Sequence, residues 1–154
     1  MLKASDIMQK EFTAVSPSTT VEALGRLFID KDLTGAPVLD PDGKLIGMVT
    51  EYDLISRSKR LHIPTVIRIF DAFITLEGTK ALDNEIKKMA ATTVTDICTR
   101  QVVVIREETP LDEISTIMAE RNLILLPVVR DDKVVGLVSR HDIVKGLGGE
   151  GAGA

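Results

Sequence analysis

Hydrophobic and polar positions along the chain follow two periods in turn, and the whole sequence of changes is run through twice. Val21, Leu24, Leu27 and Phe28 recur at helical spacing, as do Leu111, Ile114, Ile117 and Met118. Each stretch carries a helix start signal. Thr19-Thr20-Val21-Glu22 reads as a capping box, and Thr109-Pro110-Leu111-Asp112 offers an N-cap, a proline at the first helical position and an acid at the third. Short apolar runs flank these helices and predict strands, beginning with Phe12 to Val15 and Val102 to Ile105. Ala36 to Leu39 and Lys44 to Val49 flank Pro41-Asp42-Gly43, a hairpin signal, and Leu126 to Val129 and Lys133 to Val138 flank Asp131-Asp132. A second helix opens at Thr50 or Ser139, and a short capped turn, Ser5-Asp6-Ile7-Met8 or Thr95-Asp96-Ile97-Cys98, stands ahead of each set. The unit is strand, helix, strand, strand, helix.

The letters repeat as well as the pattern. Asp6-Ile7-Met8 returns as Asp96-Ile97-Cys98, and Ala36-Pro37-Val38-Leu39 as Leu126-Pro127-Val128-Val129, both ninety positions on. Gly47-Met48-Val49-Thr50-Glu51-Tyr52-Asp53 returns eighty-nine positions on as Gly136-Leu137-Val138-Ser139-Arg140-His141-Asp142. The one-residue slip falls in the hairpin turn, where a duplicated unit tolerates it best. The period is too long for a solenoid. Repeat one spans 1–60, a helical insert 61–93, repeat two 94–147 and a flexible glycine-rich tail 148–154. In the insert, Ile63, Val66, Ile67, Phe70, Phe73 and Ile74 form one helical stripe and Leu82, Ile86 and Met89 a second, after a break at Gly78. These helices either cap the core or form a dimer face.

Composition narrows the class. The 154 residues allow one domain with a proper core or two halves sharing one, built from aliphatic side chains since Trp is absent. A net charge of −4 with no basic, aromatic-studded stripe argues against nucleic-acid binding. Cys98 is the only cysteine, which excludes an intrachain disulfide and suits a reducing compartment; it stands where repeat one has Met8 and reads as a packing residue. The N-terminus lacks a signal-peptide run, and Ile63 to Leu76, broken by Arg68 and Asp71, is too short to span a bilayer, so a cytoplasmic protein away from membranes is expected. The two histidines, His62 and His141, and the cysteine show no metal-ligand spacing. Glycine-rich phosphate loops are absent and no nucleophile stands beside a base, so no catalysis is expected.

The order of elements, with Gly-hydrophobic-hydrophobic-Thr/Ser-x-x-Asp closing each unit, resembles the CBS domain, named after cystathionine β-synthase. Two such units resemble a CBS pair, or Bateman module, of the free-standing bacterial or archaeal kind. The resemblance covers the chain except insert and tail. It implies an α+β fold of two βαββα repeats packed with pseudo-twofold symmetry, and a homodimer of modules. It also implies two clefts that take AMP, ADP, ATP or S-adenosylmethionine as regulatory ligand, with no cofactor required. An enzyme or transporter of unknown identity would read the signal.

Physical chemistry supports a site at the repeated motif. Thr50 and Ser139 stand where a strand meets a helix, and a helix N-terminus with unpaired amides suits a phosphate. Asp53 and Asp142, three residues on, can accept from ribose hydroxyls. The same spacing is also a capping box that needs no ligand. By the family frame, cleft one would combine Leu137, Ser139 and Asp142 with Met8, Thr13, Leu33 and Thr34. Cleft two would combine Met48, Thr50 and Asp53 with Cys98, Val103, Leu123 and Ile124. Backbone before Pro37 or Pro127, at Ala36 in the first copy, would meet the adenine edge. Arg140 follows Ser139 where Glu51 follows Thr50, so cleft one is the expected place for a phosphorylated nucleotide. The competing reading is a structural interaction or dimerisation module without nucleotide.

Overall fold

The structure, a computed structural model, describes residues 1–61 and 92–149. The helical insert, His62 and the tail from Glu150 lie outside the described residues, as do the side chains of Arg57, Lys59 and Arg60. The elements are α1 (Ala4–Ile7), α2 (Val21–Lys31), β1 (Gly35–Leu39), β2 (Leu45–Thr50), α3 (Glu51–Leu61), α4 (Val94–Ile97), α5 (Leu111–Arg121), β3 (Leu125–Arg130), β4 (Lys133–Ser139) and α6 (Arg140–Leu147). Helices and antiparallel strands alternate as the duplicated pattern requires, which makes the fold α+β.

The two long helices obey the apolar stripes. Val21, Leu24 and Phe28 are buried on α2, and Leu111, Ile114 and Met118 on α5. Thr20 caps α2 by accepting from the Ala23 amide at 3.1 Å. The equivalent start of α5 departs from expectation. Pro110 is itself the cap residue, in extended conformation, and the helix begins at Leu111. Thr109 accepts from the Arg106 amide at 2.9 Å and so closes the preceding turn. Both helices stop at a left-handed residue, Asp32 (φ 53°) and Asn122 (φ 52°), types whose short polar side chains tolerate that region.

Each hairpin forms a two-stranded sheet, β1 with β2 and β3 with β4. In the second, Leu125 faces Ser139 and Leu126 faces Val138, with a bulge between Val128 and Val129. The one-residue slip lies in the turns. Gly43 (φ 85°) turns the first, where the Asp40 carboxylate accepts from the Asp42 and Lys44 amides at 2.9 and 2.8 Å. In the second, Asp131 (φ 52°) and Asp132 (φ 65°) both take positive φ, as a tight hairpin turn demands. The runs expected as leading strands, Phe12 to Val15 and Val102 to Ile105, shrink to single parallel bridges, Val15 to Val38 and Ile105 to Val128. Only one residue of each run meets a neighbouring strand in register, so no ladder extends.

The chain divides into two compact units that cut across the repeats. One comprises Met1–Ala14, Leu39–Gly47 and the described part of Arg100–Ala154; the other comprises Val15–Val38 and the described part of Met48–Thr99. Thus α1 belongs with the body of repeat two and α4 with that of repeat one. In the first unit Lys3 bridges Pro110, Gln9 bridges Leu137, and buried Ala4 donates to the Thr109 carbonyl at 2.8 Å. Its core gathers Ala4, Ile105, Ile114, Leu126, Val128 and Val138. In the second unit the equivalent bonds recur: Thr20 bridges Thr93, and Met48 bridges Thr99.

Candidate functional site

The start of α6 is a complete capping box. Ser139 takes extended backbone, its Oγ accepts from the Asp142 amide at 3.2 Å, and Asp142 Oδ2 accepts from the Ser139 amide at 2.8 Å. The Ser139 hydroxyl also donates to Asp142 Oδ2 at 2.9 Å. Asp142 is nonetheless only 7% exposed. A carboxylate that deep requires more than a cap, and a side chain from the far end of the chain supplies the rest. Gln9 Nε2 donates to Oδ2 at 3.0 Å and to Oδ1 at 3.3 Å.

Backbone pairing places Gln9 there. Its amide donates to the Leu137 carbonyl at 2.8 Å and its carbonyl accepts from the Leu137 amide at 3.0 Å. Gly136 permits the close approach: a Cβ on it would stand 2.6 Å from Met8 Sδ and 3.1 Å from the Gln9 carbonyl oxygen. Met8, Leu137, Ser139 and Asp142 are therefore brought together as expected. Gln9 was missed by sequence reasoning. The available signal was its place directly after Met8 in the duplicated turn, where the second copy has Thr99.

At the start of α3 the same motif has a sparser setting. Asp53 Oδ2 accepts from the Thr50 amide at 2.8 Å and from the Thr50 hydroxyl at 3.3 Å. Burial raises the Asp53 pKa above its ordinary 3.8, against the opposing pull of those two bonds. Thr99, at the place equivalent to Gln9, is tied to Met48 by reciprocal backbone bonds of 2.9 and 2.8 Å. Cys98 is half-buried beside it, with Sγ 3.9 Å from the Thr95 carbonyl.

Each hairpin approach is bonded to the helix start of its own copy. The Ile124 carbonyl accepts from the Arg140 amide at 3.3 Å. In the other copy the Thr34 carbonyl accepts from the Glu51 amide at 3.0 Å. The cause is hairpin register: Leu125 pairs with Ser139, so the residue before Leu125 must lie beside the residue after Ser139. Val103 and Leu123 likewise pack on the core of the unit that holds Asp142. Thr13 is half-buried in that unit, whereas Leu33, Thr34, Ala36 and Pro37 belong to the other. Arg140 reaches the end of the preceding helix. Its Nε donates to the Leu123 carbonyl at 2.9 Å and its Nη2 to Asn122 Oδ1 at 3.1 Å, which turns the guanidinium onto the end of α5.

Among the described residues no cluster of His, Cys, Asp and Glu is placed to hold a metal ion, and no helix is long and apolar enough to cross a membrane. Two helix starts, each with a carboxylate one turn in that accepts from the amide before the helix and each led up to by a hairpin, define a tandem CBS architecture. The CBS domain family model matches residues 4–60 and 94–149, and the chain belongs to that family. It is 28% identical over 150 residues to an uncharacterised protein of Methanocaldococcus jannaschii, covering 92% of this chain and 89% of that one. It is 32% identical over 139 residues to the chloroplastic CBS domain-containing protein CBSX2 of Arabidopsis thaliana, covering 85% of this chain but 56% of that one. The crystal structure of CBSX2 in complex with AMP superposes with a TM-score of 0.73 at 27% identity, covering 96% of each chain.

Proposed function

We propose that the chain is a non-catalytic regulatory module that binds an adenosine-containing ligand through its two Ser/Thr-x-x-Asp helix starts. The observation that carries this is the pair of carboxylates, Asp53 and Asp142, each held at the first turn of a helix that opens toward backbone amides. That arrangement offers an acceptor for a ribose diol and donors for a phosphate. The AMP bound by CBSX2 supports the choice of ligand class. Leu137 and Met8 supply aliphatic surface near Asp142, and Met48 supplies it near Thr50. The module acts as a cytoplasmic homodimer whose ligand state is read by an enzyme or transporter.

Calorimetric titration with AMP, ADP, ATP and S-adenosylmethionine tests the reading on wild type, Asp142→Asn and Asp53→Asn. At least one ligand is expected to bind wild type and to lose about tenfold or more in affinity in one Asn variant, since a charge-assisted pair of bonds is removed. Failure of all four ligands to bind wild type would overturn it. A second reading then stands on a specific observation. The Ser139 motif is a complete capping box, and the Asp53 carboxylate accepts from the Thr50 amide and hydroxyl without a ligand, which is what a purely structural interaction or dimerisation module needs.

A further inference from the structure

The two carboxylates are not equally available. On Asp142, Oδ2 already accepts from the Ser139 amide, the Ser139 hydroxyl and Gln9 Nε2, while among the described residues Oδ1 is faced by Gln9 Nε2 alone. A ribose diol needs both oxygens, so it must take the place of the Gln9 amide. On Asp53 both bonds from Thr50 land on Oδ2, and Oδ1 receives none from the described residues. Thr99, on its short stem, stands where Gln9 would be.

We propose that Gln9 is a built-in competitor for the ribose position on Asp142, lowering the affinity of that helix start for ribonucleotides relative to the Asp53 one. The inference rests on the ribose role proposed above. Gln9 is well made for the task. Its backbone is fixed to Leu137 by two bonds, so displacement needs only rotation of the side chain. The residue is exposed, so the released amide meets water at once and the cost is limited to its bonds with the carboxylate. The backbone tether means that the side chain returns to the same place when the ligand leaves.

The Asp53→Asn background isolates the Asp142 site, and the probes are AMP and its 2′,3′-dideoxy analogue. Gln9→Ala and Gln9→Met are each expected to tighten AMP binding by about three- to tenfold, the size of one or two exposed bonds to a charged group. Neither is expected to move the dideoxy analogue, which has no diol to compete with. The methionine keeps length and bulk but has no donor. Tightening by alanine alone would mean that Gln9 blocks by bulk, and would overturn the competition for Asp142. Unchanged or weaker AMP binding in both variants would overturn it outright while leaving the nucleotide reading intact. Absence of AMP binding to wild type and every variant would overturn the nucleotide reading, and the competitor with it.

Discussion

At the start of α6 the Asp142 carboxylate receives a backbone amide, a hydroxyl and the Gln9 side-chain amide. At the start of α3 the Asp53 carboxylate receives only the amide and hydroxyl of Thr50 among the described residues, and burial holds its pKa up. Around them Arg140 and Asn122 stand where the other copy has Glu51 and Asp32. Duplication has kept the backbone frame, a hydroxyl residue (Thr50 or Ser139) and the aspartate, and the copies differ in the residues that surround them. Electrostatic character is therefore set one residue away from the motif. A pair of equivalent motifs thus sits in two different polar settings.

The largest effects are expected from the buried frame. Leu24→Ala and Ile114→Ala each empty a fully buried position on equivalent helices, and each is expected to cost about 2–5 kcal/mol by chemical denaturation. Unequal losses would show that the units are less alike than their sequences. Next comes the cap: Asp142→Ala removes the Ser139 capping box and leaves Gln9 without its acceptor, an expected loss of about 1–3 kcal/mol and larger than for Asp53→Ala. Gly136→Ala forces Met8 and the Gln9 carbonyl outward, with an expected cost of about 1–3 kcal/mol.

The pH dependence sharpens the contrast. Because the folded Asp53 pKa is raised above 3.8, the folded state holds its proton longer than the unfolded one. The penalty for its charge is absent below 3.8 and complete once pH passes the raised folded value. Asp53→Asn should remove that fall in stability between those limits, seen in denaturation series across the acid range; an unchanged series would show that another group carries it. The smallest effect expected is from Arg140→Ala, below about 1 kcal/mol, because both bonds of the guanidinium are exposed.

Much of this was legible in the chain. The helix faces at Val21, Leu24 and Phe28 and at Leu111, Ile114 and Met118 could be read from spacing alone, because burial on a helix follows a local period. Hairpins could be read from their turn residues, since Gly43 and the Asp131-Asp132 pair supply positive φ where the turn needs it. What sequence does not display is long-range pairing. Gln9 meets Asp142 across 133 positions, and no periodicity joins them. Nor does sequence display register, a property of two strands together, which sets the Ile124 carbonyl beside the Arg140 amide and the Thr34 carbonyl beside the Glu51 amide.

The first compact unit opens with Met1–Ala14 and is completed only by residues from Arg100 onward. On the ribosome, then, residues 1–14 must wait for residues made more than eighty positions later. During that wait α1 has no partner and buried Ala4 faces water. Such wide sequence separation makes closure slow and strongly dependent on the chain between. A stalled or truncated product would lack the Gln9 to Asp142 bond altogether, so that bond, once formed, reports that synthesis has reached α6.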